Sequence, residues 1–375
     1  IGIIFTSFDL DEENSVAWIS DSDGDWNNPG NWSTGQVPGP NDAVIIDRKT
    51  ANPKITLSSG NVTIRSLIAR DEFIMSGGSL TVTETSEVLA KLTISDRSTL
   101  TVDGARTLFN ANGETSIDGA ILIARNGGKI LLPLVSSYTH TSGGTSTFRA
   151  TGSGSVIDLR NVTLLTGGDG IDHRVVIEAL SGGVVDLRGV TDIIDPETGD
   201  TRGRSISVRA DGSNSLVNLS SLRNFIDRDT RDWNNPGRSA ITAQNGGTVQ
   251  APLMTTLSAV QLNLNGTGVF PIAQITSLTS GNIMMSGADY AFPSLTNAGS
   301  TAFTVDGISA SFPLVTNLVG STITLNGGQI DLSAVTNANG ARFFVSQGAT
   351  LSLPALTSYT HTSGGTSTFR ATGSG

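Results

Sequence analysis

Three segments of this chain concentrate side chains that could do acid–base or ligand chemistry. They are TGGDGIDHR (166–174), DIIDPETGDTRGR (192–204) and RNFIDRDTRDWNNPGR (223–238). Between them they carry Asp169, Asp172, His173, Asp192, Asp195, Glu197, Asp200, Asp227, Asp229 and Asp232. Arg174, Arg202, Arg204, Arg228, Arg231 and Arg238 are interleaved with these acids. Paired carboxylates on neighbouring segments are what acid and base catalysis at a glycosidic bond requires. Arginines beside them would suit a lyase acting on uronates. The same oxygens could hold Ca²⁺. No spacing selects a particular pair, so no residue is assigned a catalytic role. Asp169, Asp172, His173, Asp195, Glu197, Asp200, Asp227 and Asp229, with Trp233 beside them for sugar stacking, form a candidate ligand or Ca²⁺ patch. The plainer reading is a solvated loop surface tied by ion pairs and turns, which is what charge runs usually are.

A second acidic run lies near the start, at Asp21, Asp23 and Asp25 in DSDGD. It is a weak Ca²⁺ candidate and not an EF-hand, since Gly24 stands fourth and Trp32 stands where the closing Glu belongs. The three histidines form no metal or triad pattern. His140 and His361 are duplicates in SYTHTSGG, and only His173 lies near the acidic loops. No cysteine is present, which excludes disulfides, thiolate metal sites and cysteine nucleophiles. No cofactor other than Ca²⁺ is implied. The net charge of −10 argues against nucleic acid as a partner. No apolar run is long enough for a membrane-spanning helix.

The elements that must position these loops come from a repeat. SYTHTSGGTSTFRATGSG occurs at 137–154 and again, unchanged, at 358–375. Between the copies a shorter motif recurs: glycine, an alternating apolar pair, often Pro, then apolar-Thr. Aligned on Pro133, Arg160, Arg188, Ser220, Pro252, Pro271, Pro293, Pro313, Ser333 and Pro354, it divides the interval into nine units of 19 to 32 residues. Units of this size, alternating with period two and rich in Thr, Ser, Val and Gly, fit coils of a parallel β-solenoid. An immunoglobulin-like array needs about 100 residues per domain and does not fit. The expected fold is all-β, a right-handed parallel β-helix with coils of about 20–32 residues. Val156, Val184, Val249, Ile330 and Leu351 are expected to stack inward. About fifteen coils would make a rod on the order of 70 Å long.

The three charged segments are the long corners of consecutive coils, and insertions at one corner stack on one face. Residues 1–50 read as an N-terminal segment and cap. Residues 51–375 read as the β-helix, with long-loop coils at 160–238 and regular spacer coils at 239–375. Ile1 in the first position, and a repeat that closes at Gly375, suggest a chain that continues beyond both ends.

The opening segment WISDSDGDWNNPGNWSTGQVPGPNDAVIID (18–47) holds three of the four tryptophans. Its pattern of Trp, DG turn, NW and VPG..D.V.I resembles the start of large secreted bacterial β-helix proteins of the autotransporter and adhesin type. It is also similar to the opening of the G8 module. The resemblance implies a cap over the solenoid end and an extracellular or bacterial cell-surface location. It also implies a structural or adhesive rod whose partners are neighbouring modules or subunits of the same protein and surface glycans. Two other classes stand beside that one. One is a polysaccharide-binding or polysaccharide-degrading protein with its site on loops 166–238. The other is a self-assembling filament subunit.

Overall fold

A computed structural model describes residues 15–228, 238–361 and 366–373. Every ladder between its strands is parallel, and each coil contributes one strand to each of up to three faces. The first face is a ten-stranded sheet from Val16–Ala17 to Thr248–Gln250, resumed as three strands from Tyr290–Ala291 to Gln329–Asp331. The second is a five-stranded sheet from Gly24–Asp25 to Thr115–Ile117, followed by a six-stranded one from Ser137–Thr139 to Ser277–Thr279. The third runs unbroken through fourteen strands, from Asn61–Ile64 to Phe369–Thr372. At about 4.8 Å per strand that sheet spans roughly 60 Å. The fold is the expected parallel β-solenoid.

Alternation builds the core. On the third face Val62, Leu80, Leu100, Leu122, Phe148, Ile177, Val208, Ile241, Leu262, Ile283, Phe303, Ile323 and Phe343 lie in one register column. All of them are buried. Such a column buries each side chain only against its neighbours above and below, so the core grows by one layer per coil.

On the first face the inward column is Ile130, Ile157, Val185, Val217 and Val249. Val156 and Val184 do not belong to it: they are half-buried and lie in the outer column that runs from Lys129 through Val156, Val184 and Leu216 to Thr248. Two adjacent apolar residues, as in VID and VVD, leave the phase of alternation open, and a one-residue shift exchanges the faces. Of the other expected stackers, Ile330 is buried and Leu351 is half-buried against the core.

One corner rule explains the alternation of Pro with other residues in the repeat. Where the chain leaves the first face, one backbone N–H loses its place in the ladder. In four coils an acid or amide two residues earlier accepts it. These are Arg160 N to Asp158 (3.2 Å), Arg188 N to Asp186 (3.2 Å), Ser220 N to Asn218 (3.2 Å) and Ser333 N to Asp331 (3.1 Å). In the coils with Pro133, Pro252, Pro271, Pro293, Pro313 and Pro354 there is no N–H to satisfy, and the residue two before is never Asp or Asn. Asp331→Ala is therefore expected to cost about 0.5–1 kcal/mol, at the low end because the carboxylate is exposed. Adding Ser333→Pro should recover it. Hydrogen bonds from Ser333, side chain first and backbone second, hold the Asp331 carboxyl below its usual range. Its contribution is thus complete above the ordinary aspartate range and is lost as pH falls through the lowered value. Thermal melts of both variants at neutral and acidic pH test the rule. A double variant less stable than the single one would refute it.

Glycine is mandatory where coils touch backbone to backbone. A Cβ on Gly183 would stand 2.2 Å from Ala150 O, and the preceding Gly182 takes φ +91°.

The cap closes on tryptophan. Trp18, Trp26 and Trp32 are all buried, with ring centroids 5.1 Å apart for Trp18 and Trp32 and 4.7 Å for Trp26 and Trp32.

Candidate functional site

The loops 166–174 and 192–204 leave the second face after Leu164–Thr166 and Asp192–Asp195 and re-enter the third face at Arg174–Leu180 and Ser205–Asp211. A third loop leaves Asn224–Asp227 and returns at Ala240–Gln244. The strands before them are in register, with Thr166 beside Ile194 and Asp195 beside Asp227. The corners 166–174 and 192–204 therefore stack on one edge of the rod, between the second and third faces, and most of the third corner, 229–237, lies outside the described residues.

Their charged side chains bind one another and the backbone. Asp200 takes a forked pair of bonds from Arg202, with N–O distances of 2.6 to 3.2 Å, and this holds its carboxyl down to about 2. Arg174 donates to Gly203 O (2.7 Å) and lies 3.2 Å from Asp172. Backbone bonds join the two loops, from Asp200 N to Asp169 O (2.9 Å) and from Asp172 N to Arg202 O (2.8 Å). Asp169, Asp172 and Glu197 are exposed.

Beneath them lies a buried polar layer. Arg204 is fully buried, and its Nη1 donates to Thr198 O (2.7 Å) and Gly168 O (3.0 Å), while Nη2 donates to Pro196 O. Its Nε stands 3.6 Å from Asp195, which is 1% exposed. On the next coil Asp227, 3% exposed, accepts from Ser239 N (3.1 Å). His140 is buried on the coil before, and its ring centroid lies 5.1 Å from that of His173. Burial lowers the His140 pKa.

Thus the structure brings Asp195 and Asp227 together and gives Asp172 and Asp200 to their own arginines. His173 goes to His140, outside the patch. Asp229 and Trp233 lie outside the described residues. Sequence reasoning passed over His140 as a duplicate and gave Arg204 no separate role. Alternation carried past the strand end would have found both. Arg204 continues the inward set Ala210, Val208, Ile206, and His140 continues from Tyr138.

At the cap, Asp21, Asp23 and Asp25 diverge. Asp21 pairs with Arg48 (2.6 Å), Asp23 accepts from Lys54 N (2.8 Å), and Asp25 accepts from Asn27 N (2.7 Å) and Ser58 Oγ (2.5 Å). These bonds tie the cap to the first coil. Among the described residues no group of three or more His, Asp or Glu side chains is arranged to hold a metal ion.

Two shallow cavities lie away from the loops. One, of about 400 Å³, runs over Asp289, Ser309, Ser311, Gln329 and Asp331. The other, of about 300 Å³, opens where the two second-face sheets meet, at Thr115–Asp118 and Ser136–Thr141. Among the described residues no helix is long and apolar enough to cross a membrane.

Fold and corner geometry define a parallel β-solenoid with an aromatic cap and one edge of stacked, ion-paired loops. A family model described as a domain of unknown function (DUF8693) matches residues 17–149, which are the cap and the first coils. No curated protein and no solved structure matches the chain.

Proposed function

We propose that this chain is a structural or adhesive rod of an extracellular or cell-surface assembly of the autotransporter or adhesin type. The observation that carries this is the unbroken fourteen-stranded sheet, a single ladder running from the cap to the last described coil. A rod of this kind works mechanically. Its length is set by coil number, and it holds neighbouring modules at a fixed separation. The loop edge supports the same reading, because Asp172, Asp195 and Asp200 face arginines of their own loops and backbone bonds join one loop to the next, which stiffens the corner. Surface glycans and further modules of the same protein are the partners this reading assigns.

Small-angle scattering gives the first test. The expected profile is that of a stiff cylinder, with a maximum dimension a little above the roughly 60 Å ladder and no dependence on concentration. A compact or variable particle would reject the rod. Hydrolysis or elimination of an acidic polysaccharide, abolished by Asp→Asn changes in loops 166–238, would replace this function with an enzymatic one.

A further inference from the structure

We propose that His140 and His173 form a proton-sensitive latch that holds the loop 166–174 against the coil before it, and that proton uptake by the buried His140 releases the loop.

The argument starts from which ring nitrogen carries a proton. His140 is buried, and its Nε2 lies 2.9 Å from Gly144 O, an acceptor, so Nε2 carries the hydrogen. Its Nδ1 has no hydrogen-bond partner in the structure. A bare ring nitrogen is tolerable in neutral imidazole. Protonated, it becomes a buried donor facing no acceptor. His173 is constrained in a complementary way. Its Nδ1 accepts from Gly170 N (3.3 Å), so protonation there would set two donors against each other. His140 keeps its bond to Gly144 O in either state, and that bond favours the charged ring, but burial outweighs it. The His173 bond from Gly170 N survives only while Nδ1 is bare. With centroids 5.1 Å apart the two rings, both charged, would also repel.

His173 is wedged between its own loop and the coil before it. A Cβ on Gly168 would stand 2.1 Å from its Nδ1 and 2.5 Å from His140 O, and a Cβ on Gly170 would stand 2.5 Å from its Nε2. The glycines in TGGDG thus make room for the imidazole. If His173 is expelled, the loop loses the group it folds around.

Charged neighbours do not cancel the effect. From the preceding coils, the Asp118 carboxylate favours a charged His140, but it accepts from Thr141 N (2.7 Å). Arg97 packs on Gly144. On the same loop Asp172 is paired with Arg174, and Asp169 is exposed. From the following coil Asp195 stands against Gly167 and faces Arg204. Burial dominates, and it lowers the His140 pKa. The open form then binds protons more readily than the closed form. The latch is fully closed above the ordinary histidine range and loosens as pH falls below it.

Hydrogen–deuterium exchange of the whole chain, corrected for intrinsic rates, tests this between pH 8 and pH 5. Amides of 140–144 and 166–174 should lose protection by on the order of tenfold at the lower pH. Amides of Arg174–Leu180 beyond the loop should keep theirs. The double variant H140Q/H173Q should show no such change, whereas H361Q, in the duplicate segment, should behave like the parent. Imidazole NMR titration of the unmodified chain guards against a misfolded variant, because the exchange change must follow His140 protonation. The latch is overturned by equal protection at both pH values. It is also overturned by a response that persists in the double variant or by loop opening out of step with His140.

Discussion

Arg204→Met is expected to lower the stability of the long-loop coils by about 3–5 kcal/mol. The guanidinium is fully buried and serves carbonyls of both loops, at Gly168, Pro196 and Thr198, with Asp195 at 3.6 Å. Methionine would fill much of the volume. It would also leave three buried carbonyls short of a donor and strip Asp195 of its nearest cation, with Asp227 stacked on the next coil. Arg204→Lys should rescue little, because one ammonium on a flexible stem cannot span a fan of acceptors built for a planar fork. Arg204→Met combined with Asp195→Leu should recover a large part of the loss, since a buried pair replaced by apolar residues is often neutral. Denaturant midpoints, read together with protease sensitivity of 192–204, give the answer. A loss below about 1 kcal/mol in the single variant would show that the loops are held by their surface bonds and not by this arginine.

That prediction also shows which parts of the molecule the sequence made legible. The solenoid was legible because its signal is repeated: nine spacings and one exact duplication each vote for the same coil. The duplicated segments share one ring contact, Tyr138 on Phe148 at 5.0 Å and 79° and Tyr359 on Phe369 at 4.9 Å and 75°, although Phe148 is buried and Phe369 is exposed. The cap was legible because three tryptophans in fifteen residues (18–32) are too much aromatic surface to leave in water. The loop edge was legible as a place but not as chemistry. Composition lists carboxylates. It does not say that Asp200 turns to Arg202 two residues on, or that Asp195 turns inward. The phase of alternation decides the second point, and loops 192–204 and 166–174 hide that phase behind glycines and a proline. Val156 and Val184 failed for the same reason in miniature, two apolar neighbours with no polar residue between them to fix the face.

Trp26→Ala is the other large effect, and its size should depend on where it is measured. The indole is fully buried, packed on Trp32 (4.7 Å) and on Phe73 (5.6 Å), and its carbonyl accepts from Trp32 Nε1 (2.7 Å). Truncating a buried Trp costs about 3–5 kcal/mol when the surroundings cannot collapse into the space. Here they cannot, because Trp18 and Trp32 are held at right angles to each other (89°), and Trp18 N and Trp26 N are fixed by backbone bonds to Ile45 O (2.9 Å) and Thr56 O (2.8 Å). In a solenoid each coil is stabilised by its neighbours, so a defect spreads from the damaged end and fades along the axis. Hydrogen exchange should therefore show the first coils, around Ile55 and Phe73, losing most of their protection. The coils around Phe303 and Ile323, more than a dozen strands' worth of sequence away, should keep theirs. Trp26→Phe should lose much less, as a ring still faces Trp32 and Phe73. Uniform loss of protection along the rod would mean that the solenoid unfolds as one cooperative unit, and that the aromatic cluster contributes to a global core and does not guard an end.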